Sequence, residues 1–314
     1  MDFKDLRCLI AIADRGSFVA AAEAEGMSQP SLSNRIRALE DHFGVALFRR
    51  SNKGAEVTED GAELLRHARA IVRQFEETET EMQFFRSNPV GLVRLGLPTS
   101  LTSTLAIPIL ERCFETLPNV KVRIVESMSG YISRWLLDGT LDLGITFGSN
   151  APSGIDIQPL AQEDLLVVGA DADKLADMLD ENGEVPLRSL NDLNLVLPGP
   201  EHGLRTLIES LARQNGVRIN AVIEIDVFSE IMQLVAKGYG WTIVSSAAFR
   251  KGAFRELIGA RVSRPYISRI VNTAVASAST QSRARRDVSK VIRLVVEEQT
   301  RESDWLARSL VSKV

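Results

Sequence analysis

The stretch from Ser17 to Gly54 most constrains the fold, because it combines two short helices, a tight turn and a basic hairpin. Ser17 has the side-chain oxygen that an N-cap needs, and the Ala-rich run behind it predicts a helix that ends near Gly26. Ser28 caps a second predicted helix, whose first turn tolerates proline without losing a hydrogen bond. The segment therefore predicts two helices joined by a tight turn.

The second of these helices has an apolar face and a polar face. Leu32, Ile36 and Leu39 recur at helical spacing, which leaves short polar side chains and one guanidinium outside. Such a face suits the major groove, where Asn and Gln pair with adenine, Arg with guanine, and Ser with bases or phosphates. An ordinary amphipathic helix is the alternative. The predicted DNA contacts of this region are Ser17, Ser28, Gln29, Pro30, Ser31, Ser33, Asn34, Arg35 and Arg37.

A basic hairpin follows. Residues 48–54 have turn formers between apolar positions, which predicts a two-stranded wing with cations near phosphates. Arg50 and Lys53 are the predicted contacts there. The chain of 314 residues has a formal net charge of −4, so any DNA binding requires a local basic patch. Arg35, Arg37, Arg49, Arg50 and Lys53 supply that patch against only Glu40 and Asp41.

A long helix is predicted from Thr58 to about Arg86, where the chain has no proline. Apolar residues recur there at alternating spacings of four and three, which is typical of a helix that pairs with a second copy. The alternative is packing against its own domain. The predicted dimerisation residues are Leu64, Ala68, Ile71, Phe75 and Met82.

The remaining chain alternates strand and helix patterns, which predicts βαβ units and a parallel sheet. Ligands in such folds lie beyond the carboxyl ends of strands, where helix N-termini favour anions. Several segments fit that description, although Thr99 could be a simple N-cap and His202 a surface residue. The predicted effector contacts are Thr99, Ser100, Ser127, Met128, Ser129, Phe147, Pro200, His202 and Phe228.

Catalytic and metal-binding patterns find little support. The chain has no H-E-x-x-H, G-x-S-x-G or G-x-x-x-x-G-K-[ST] motif, so no catalytic residue and no cofactor is predicted. Cys8 and Cys113 are too few and too distant for a zinc site or a disulfide framework, which favours buried thiols. The sequence shows no signal peptide and no membrane span, so we expect a cytoplasmic protein without membrane contact.

Several motifs stand together in one order: FKDLRCLIAIADRGSF, AAEAEGMSQPSLSNRIRALE, FGVALFRR and VTEDG, then GLPTSL, LDGTLDLGI and KGYGWTIV. This order resembles the LysR-type transcriptional regulators. The chain departs from the family at Asn34 and Arg35, where Arg and then Gln are frequent.

The resemblance implies an α+β multidomain fold. A winged helix-turn-helix (1–58) and a linker helix (59–88) precede an effector-binding domain (89–314) of two α/β Rossmann-like subdomains, like a type 2 periplasmic binding protein. Subdomain I would span about 89–162 and 268–314, and subdomain II about 163–267.

The implied function is an effector-responsive, sequence-specific regulator. Its expected partners are double-stranded promoter DNA, a small effector such as a carboxylate or similar anion, further copies in a homodimer or homotetramer, and RNA polymerase. The alternative is a cytoplasmic α/β small-molecule-binding protein or enzyme with an N-terminal dimerisation module.

Overall fold

The computed structural model describes residues 1–51, 54–83, 89–249, 254, 256–279 and 282–311. Lys53 and the side chains of Arg50 and Met82 lie outside the described residues, so their predicted roles stay predictions. None of the helices in these ranges combines the length and the apolar character that crossing a bilayer requires.

The N-terminal part is a winged helix-turn-helix, as predicted. Its elements are α1 (Phe3–Arg15), α2 (Phe18–Ala24), α3 (Gln29–Phe43), β1 (Phe48–Ser51) and β2 (Gly54–Val57). Ser17 Oγ accepts from Ala20 N at 3.5 Å and Ser28 Oγ accepts from Ser31 N at 3.3 Å. Gly26 has a φ of 64°, the left-handed geometry that the turn needs. Local capping therefore sets the ends of α2 and the start of α3.

The linker helix α4 (Glu59–Gln83) begins against the wing. Thr58 Oγ1 accepts from Gly61 N at 3.0 Å and donates to the carbonyl of Ala46 at 2.6 Å. A Cβ at Gly61 would lie 2.2 Å from the carbonyl oxygen of Leu47, so only glycine permits this approach. The start of the linker helix is thereby fixed to the DNA-binding domain.

Part of the apolar stripe of α4 packs inside its own chain. Ala68 is fully buried and Val72 nearly so, in one core with α1 and α3, and Leu64 is half-buried against that core. Ala68 therefore cannot contact a second copy, and its prediction as a dimerisation residue is wrong. Ile71 and Phe75 remain 48% and 46% exposed and keep that prediction open.

The linker helix also contacts the part of the chain after residue 89, which we call the sensing half after its predicted role. The guanidinium of Arg69 bridges Asp14 of α1 and Thr140, a residue of the second half. Arg73 donates to the carbonyl of Gly139 and lies 3.5 Å from the carboxylate of Asp142. Two arginines of one helix thus join the DNA-binding domain to the sensing half.

The sensing half contains β3 (Gly91–Pro98), α5 (Thr99–Thr116), β4 (Val120–Ser127), α6 (Ser129–Leu137), β5 (Leu143–Phe147), β6 (Ile155–Gly169), α7 (Ala172–Met178), β7 (Val185–Pro186), a short 3-10 helix (Leu187–Asp192), β8 (Asn194–Leu197), α8 (Gly203–Gln214), β9 (Asn220–Glu224), α9 (Phe228–Ala236), β10 (Thr242–Ser245), β11 (Ile258–Ser263), β12 (Ser268–Ala276), α10 (Arg283–Glu302) and β13 (Ala307–Ser309). These elements form two lobes with separate hydrophobic cores. Lobe I contains β3, β4, β5, α5 and α10, and lobe II contains β8, β9, β10, α8 and α9.

The sheets are mixed rather than wholly parallel. Strand β3 is parallel to β4 and β5, and β8 is parallel to β9, as the sequence predicted. Strand β6 runs through both lobes: its first part is antiparallel to β12 and its last part is antiparallel to β10 and β11. The predicted parallel sheet is therefore incomplete, because β6 and β12 carry the chain between the lobes in opposite directions. Helix α10 returns to pack on α5 and β3 and completes lobe I.

Candidate DNA-reading surface and effector cleft

The outer face of α3 exposes most of the residues predicted to read DNA. Ser28, Gln29, Pro30, Ser31, Asn34 and Arg37 are exposed. Ser17 is half-buried and its hydroxyl caps α2. Ser33 differs, because its Oγ is buried without a hydrogen-bond partner among the described residues, which removes it from the reading face. The exposed face thus offers short hydroxyls, two amides and one guanidinium to a groove.

Arg35 is placed elsewhere. Its Nη1 donates to Asp5 Oδ1 at 2.6 Å and to Asp2 Oδ2 at 3.2 Å. Asp2 caps α1, and both carboxylates lie at the N-terminus of that helix, where the helix dipole favours negative charge. The guanidinium of Arg35 therefore ties α3 to α1 and does not join the reading face.

The wing is anchored beside the first helix. Ala55 N donates to the carbonyl of Gly16 at 2.8 Å, and a Cβ at Gly54 would lie 2.3 Å from that oxygen. The strands pair in antiparallel register, with Arg49 opposite Glu56. This contact fixes the wing relative to the end of α1.

A cavity of about 490 Å³ lies between the two lobes. Seven of the predicted effector contacts line it: Thr99, Ser100, Met128, Ser129, Phe147, His202 and Phe228. Ser127 and Pro200 are not among the lining residues. Ser127 is instead the last residue of β4, paired with Pro98, and the carbonyl of Pro200 accepts from Thr206 Oγ1. Both predictions are corrected, because these residues belong to the strand end and the helix-capping loop.

Helices α5, α6, α8 and α9 all begin at this cavity. The N-cap residues of α5, α6 and α9 are Pro98, Met128 and Val227, and none of them makes a side-chain capping bond. The first N–H groups of a helix have no intrahelical partner and lie at the positive end of its dipole. Their convergence makes the cleft rich in hydrogen-bond donors.

Arg269 supplies a cation that the sequence analysis missed. Its Nε donates to Glu163 Oε1 at 2.5 Å, its Nη2 donates to Ser100 Oγ at 2.8 Å, and its guanidinium carbon lies 3.4 Å from the centre of the Phe147 ring. Nη1 makes no hydrogen bond to any described residue. Arg269 comes one residue before the apolar strand pattern of the sequence, and this break in pattern is the one signal that could have indicated it.

Glu163 holds Arg269 from behind. It is fully buried, and its Oε2 accepts from Ser245 Oγ at 2.7 Å and from Trp305 Nε1 at 2.8 Å. The network joins lobe I, lobe II and the segment after α10 at the point where the chain crosses between lobes. A buried pair in which both carboxylate oxygens and two of the three guanidinium nitrogens are bonded fixes one orientation of the guanidinium.

His202 is a neutral donor at the cavity wall. Its Nδ1 accepts from Leu204 N at 3.2 Å, which caps α8 and leaves the ring proton on Nε2. Burial and the nearby Arg269 lower the pKa of His202 below 6.5, while Asp226 opposes the shift. The ring is therefore uncharged at neutral pH.

The cysteines lie away from the cleft and are buried. Burial raises the pKa of the Cys113 thiol to about 11, and burial also raises the pKa of Cys8. Among the described residues no group of His, Cys, Asp and Glu could hold a metal ion. Neither thiol has the exposure or the acidity of a reactive cysteine.

Comparisons with known proteins agree with this architecture. A family model described as a bacterial regulatory helix-turn-helix protein of the lysR family matches residues 3–62, and one described as the LysR substrate binding domain matches residues 86–297. The nitrogen assimilation regulatory protein nac of Klebsiella aerogenes is 30% identical over 295 residues, covering 92% of this chain and 94% of that protein. A probable hydrogen peroxide-inducible genes activator of Mycobacterium leprae is 29% identical, covering 91% and 92%.

Solved structures share the fold over the full length. A full-length OxyR variant from Pseudomonas aeruginosa matches with a TM-score of 0.76 at 22% identity and covers 95% of each chain. CbnR complexed with its target DNA matches with a TM-score of 0.65 at 20% identity, covering 94% of this chain and 100% of that one. With a winged helix, a linker helix and a two-lobed sensing half in that order, the chain belongs to the LysR family of DNA-binding transcriptional regulators with an effector-binding domain.

Proposed function

We propose that this regulator senses a small carboxylate or a similar anion in the cleft between its lobes. The observation that carries the proposal is the placement of Arg269 at the cavity wall beside the first turns of α5, α6, α8 and α9. Nε and Nη2 of Arg269 are bound to protein, which leaves Nη1 for a ligand. Ser100 and the neutral His202 add donors, so an anion would replace its lost hydration by several hydrogen bonds.

The proposal is tested by calorimetry, which compares the affinity of the protein for a panel of carboxylates with its affinity for the corresponding uncharged carboxamides. We expect at least one carboxylate to bind more than about tenfold tighter than its amide, because hydrogen bonds to charged groups are the stronger ones. Thr99→Val should weaken that binding, whereas Ser127→Ala, at a neighbouring position outside the cavity, should leave it unchanged. Equal binding of acid and amide throughout the panel would contradict the proposal.

We further propose a division of roles in DNA binding. Asn34→Ala should change base preference, because Asn34 is exposed on the face of α3 that would enter the major groove. Arg50→Ala should weaken binding to all sequences and reduce the salt slope by about 1, as expected for one phosphate contact. Equal weakening on specific and random DNA in both variants would refute this division.

Ligand binding and DNA binding would be coupled through subunit packing. Closure of the lobes would move lobe I, which Arg69 and Arg73 join to the linker helix. Ile71 and Phe75 are exposed on that helix and are the proposed contacts between copies. The copies would form a two-fold dimer, or a tetramer of two such dimers. If the ligand binds the closed lobes more tightly than the open lobes, its binding would change the spacing of the recognition helices in that assembly. RNA polymerase is a proposed partner of the DNA-bound form.

The proposed domain bounds remain 1–58 for the winged helix-turn-helix, 59–88 for the linker helix and 89–314 for the effector-binding domain.

Noncovalent sensing is favoured over thiol chemistry, although some relatives are named as hydrogen peroxide-inducible activators. Cys8 and Cys113 are both buried with raised pKa values, which disfavours the thiolate that reacts with oxidants. Mild peroxide should therefore leave regulation unchanged, both in the unmodified protein and in the Cys113→Ser variant. A peroxide response that disappears with this replacement would contradict noncovalent sensing.

A further inference from the structure

The interlobe cavity is lined by two opposite charges in different places. Of the described residues that line it, Arg269 and Asp226 alone carry a formal charge when His202 is neutral. Arg269 lies on β12, where the chain crosses between the lobes, whereas Asp226 lies in lobe II between β9 and α9. The cavity therefore has a positive wall and a negative wall.

Asp226 is held at the mouth of the cavity. Its Oδ1 accepts from Gly199 N at 3.0 Å, while Oδ2 makes no hydrogen bond to any described residue. Asp226 also lines an outer cavity of about 460 Å³, which shares His202 with the inner one. The outer cavity also contains the ring of Tyr131, which is 47% exposed, and two exposed side chains of opposite charge, Glu201 and Arg134. Asp226 is the carboxylate that lines both cavities, and a carboxylate can bind an ammonium ion, which an aromatic ring also attracts.

The charges around the cavity also limit the charge that a ligand can carry. Glu163, Arg269 and Asp226 contribute one positive and two negative charges in and behind the wall of the inner cavity. A second negative charge on a ligand would therefore meet no further cation among the described residues that line the inner cavity. A ligand that brings one carboxylate and one ammonium matches both walls and adds no net charge. Leu204, Leu207, Ile231, Ile243 and Phe228 also line the cavity and favour an apolar side chain on the ligand.

We propose that the effector is an amphoteric compound of the amino-acid class with an apolar side chain. Its carboxylate would contact Arg269 and Ser100, and its ammonium would contact Asp226. This inference rests on the proposed sensing of a carboxylate and narrows that proposal to one chemical class. His202 lines the same cavity as Arg269 and Asp226, and both charges act on the pKa of its ring.

Matched sets of ligands test the inference by calorimetry on the full-length protein. One set is leucine, 4-methylpentanoate and 3-methylbutylamine, and the other is phenylalanine, 3-phenylpropanoate and 2-phenylethylamine. In at least one set the amino acid should bind about tenfold tighter than the acid or the amine, because each of these lacks one charge-assisted contact. Asp226→Asn keeps the acceptor for Gly199 N and removes the charge, so it should abolish the advantage of the amino acid over the acid.

Glu201→Gln is the matched control, because Glu201 is exposed and lines the outer cavity but not the inner one. This variant should retain the preference for the amino acid. An acid that binds as tightly as its amino acid, with no effect of Asp226→Asn, would overturn the inference and leave carboxylate sensing intact. Absence of binding by every member at millimolar concentration would also overturn it, and the panel of acids and amides would then decide carboxylate sensing separately.

Discussion

The buried pair of Glu163 and Arg269 yields the most quantitative prediction. Glu163→Gln removes the negative charge but leaves an amide oxygen for Trp305 or Ser245, while the guanidinium of Arg269 stays buried without its counterion. Breaking one partner of a buried pair costs about 3–5 kcal/mol in the free energy of unfolding. For a domain of this size that loss lowers the melting temperature by roughly 6–20 °C.

A double-mutant cycle separates the pair from its surroundings. Arg269→Met alone leaves the carboxylate of Glu163 buried without its cation, whereas the double variant leaves neither charge behind. We therefore expect the double variant to be more stable than the sum of the single effects predicts, by about 2–3 kcal/mol. Urea unfolding followed by tryptophan fluorescence measures this, since Trp305 donates to Glu163. Additive effects, or a cost below about 1 kcal/mol for Glu163→Gln, would refute the buried pair.

Three further predictions concern the local structure. Ser28→Ala removes the cap of α3 and should lower stability by about 1 kcal/mol in thermal unfolding, and an unchanged melting temperature would contradict that role. Gly61→Ala should loosen the linker helix from the wing, because its Cβ would lie 2.2 Å from the carbonyl of Leu47, and unaltered amide exchange at the start of α4 would contradict it. Because the pKa of His202 is lowered in the folded state, the unfolded chain takes up the proton first and stability should fall as pH drops below about 6.5. His202→Asn keeps a cap acceptor and should flatten that loss, and an equal pH slope in both proteins would refute the assignment.

The sequence predicted what local chemistry determines. Ser17, Ser28 and Gly26 set the ends of their helices through bonds within a few residues, so the helix-turn-helix could be read directly. Ala68 could not be assigned in this way, because a heptad stripe has the same period whether it faces its own domain or another chain. Only the packing of α4 on α1 resolves that choice.

The residues of the cleft differ in the same way: local sequence predicts some of them, whereas others meet only through long-range pairing. Thr99, Ser100 and His202 follow strands and begin helices, which places them beyond strand ends by a general rule of open sheets. Glu163 and Arg269 stand 106 residues apart in the chain and meet only because β6 and β12 cross between the lobes together. A long-range pairing of this kind leaves no spacing signal in one sequence.

The most direct test measures binding of the purified protein to DNA upstream of its own gene and to random DNA of equal length, across a salt series. A specific regulator should bind both with affinities that fall as salt rises, and should prefer the upstream site strongly, by a margin that Asn34→Ala reduces. Equal affinity for both DNAs, or no salt-dependent binding to either, would contradict sequence reading by α3.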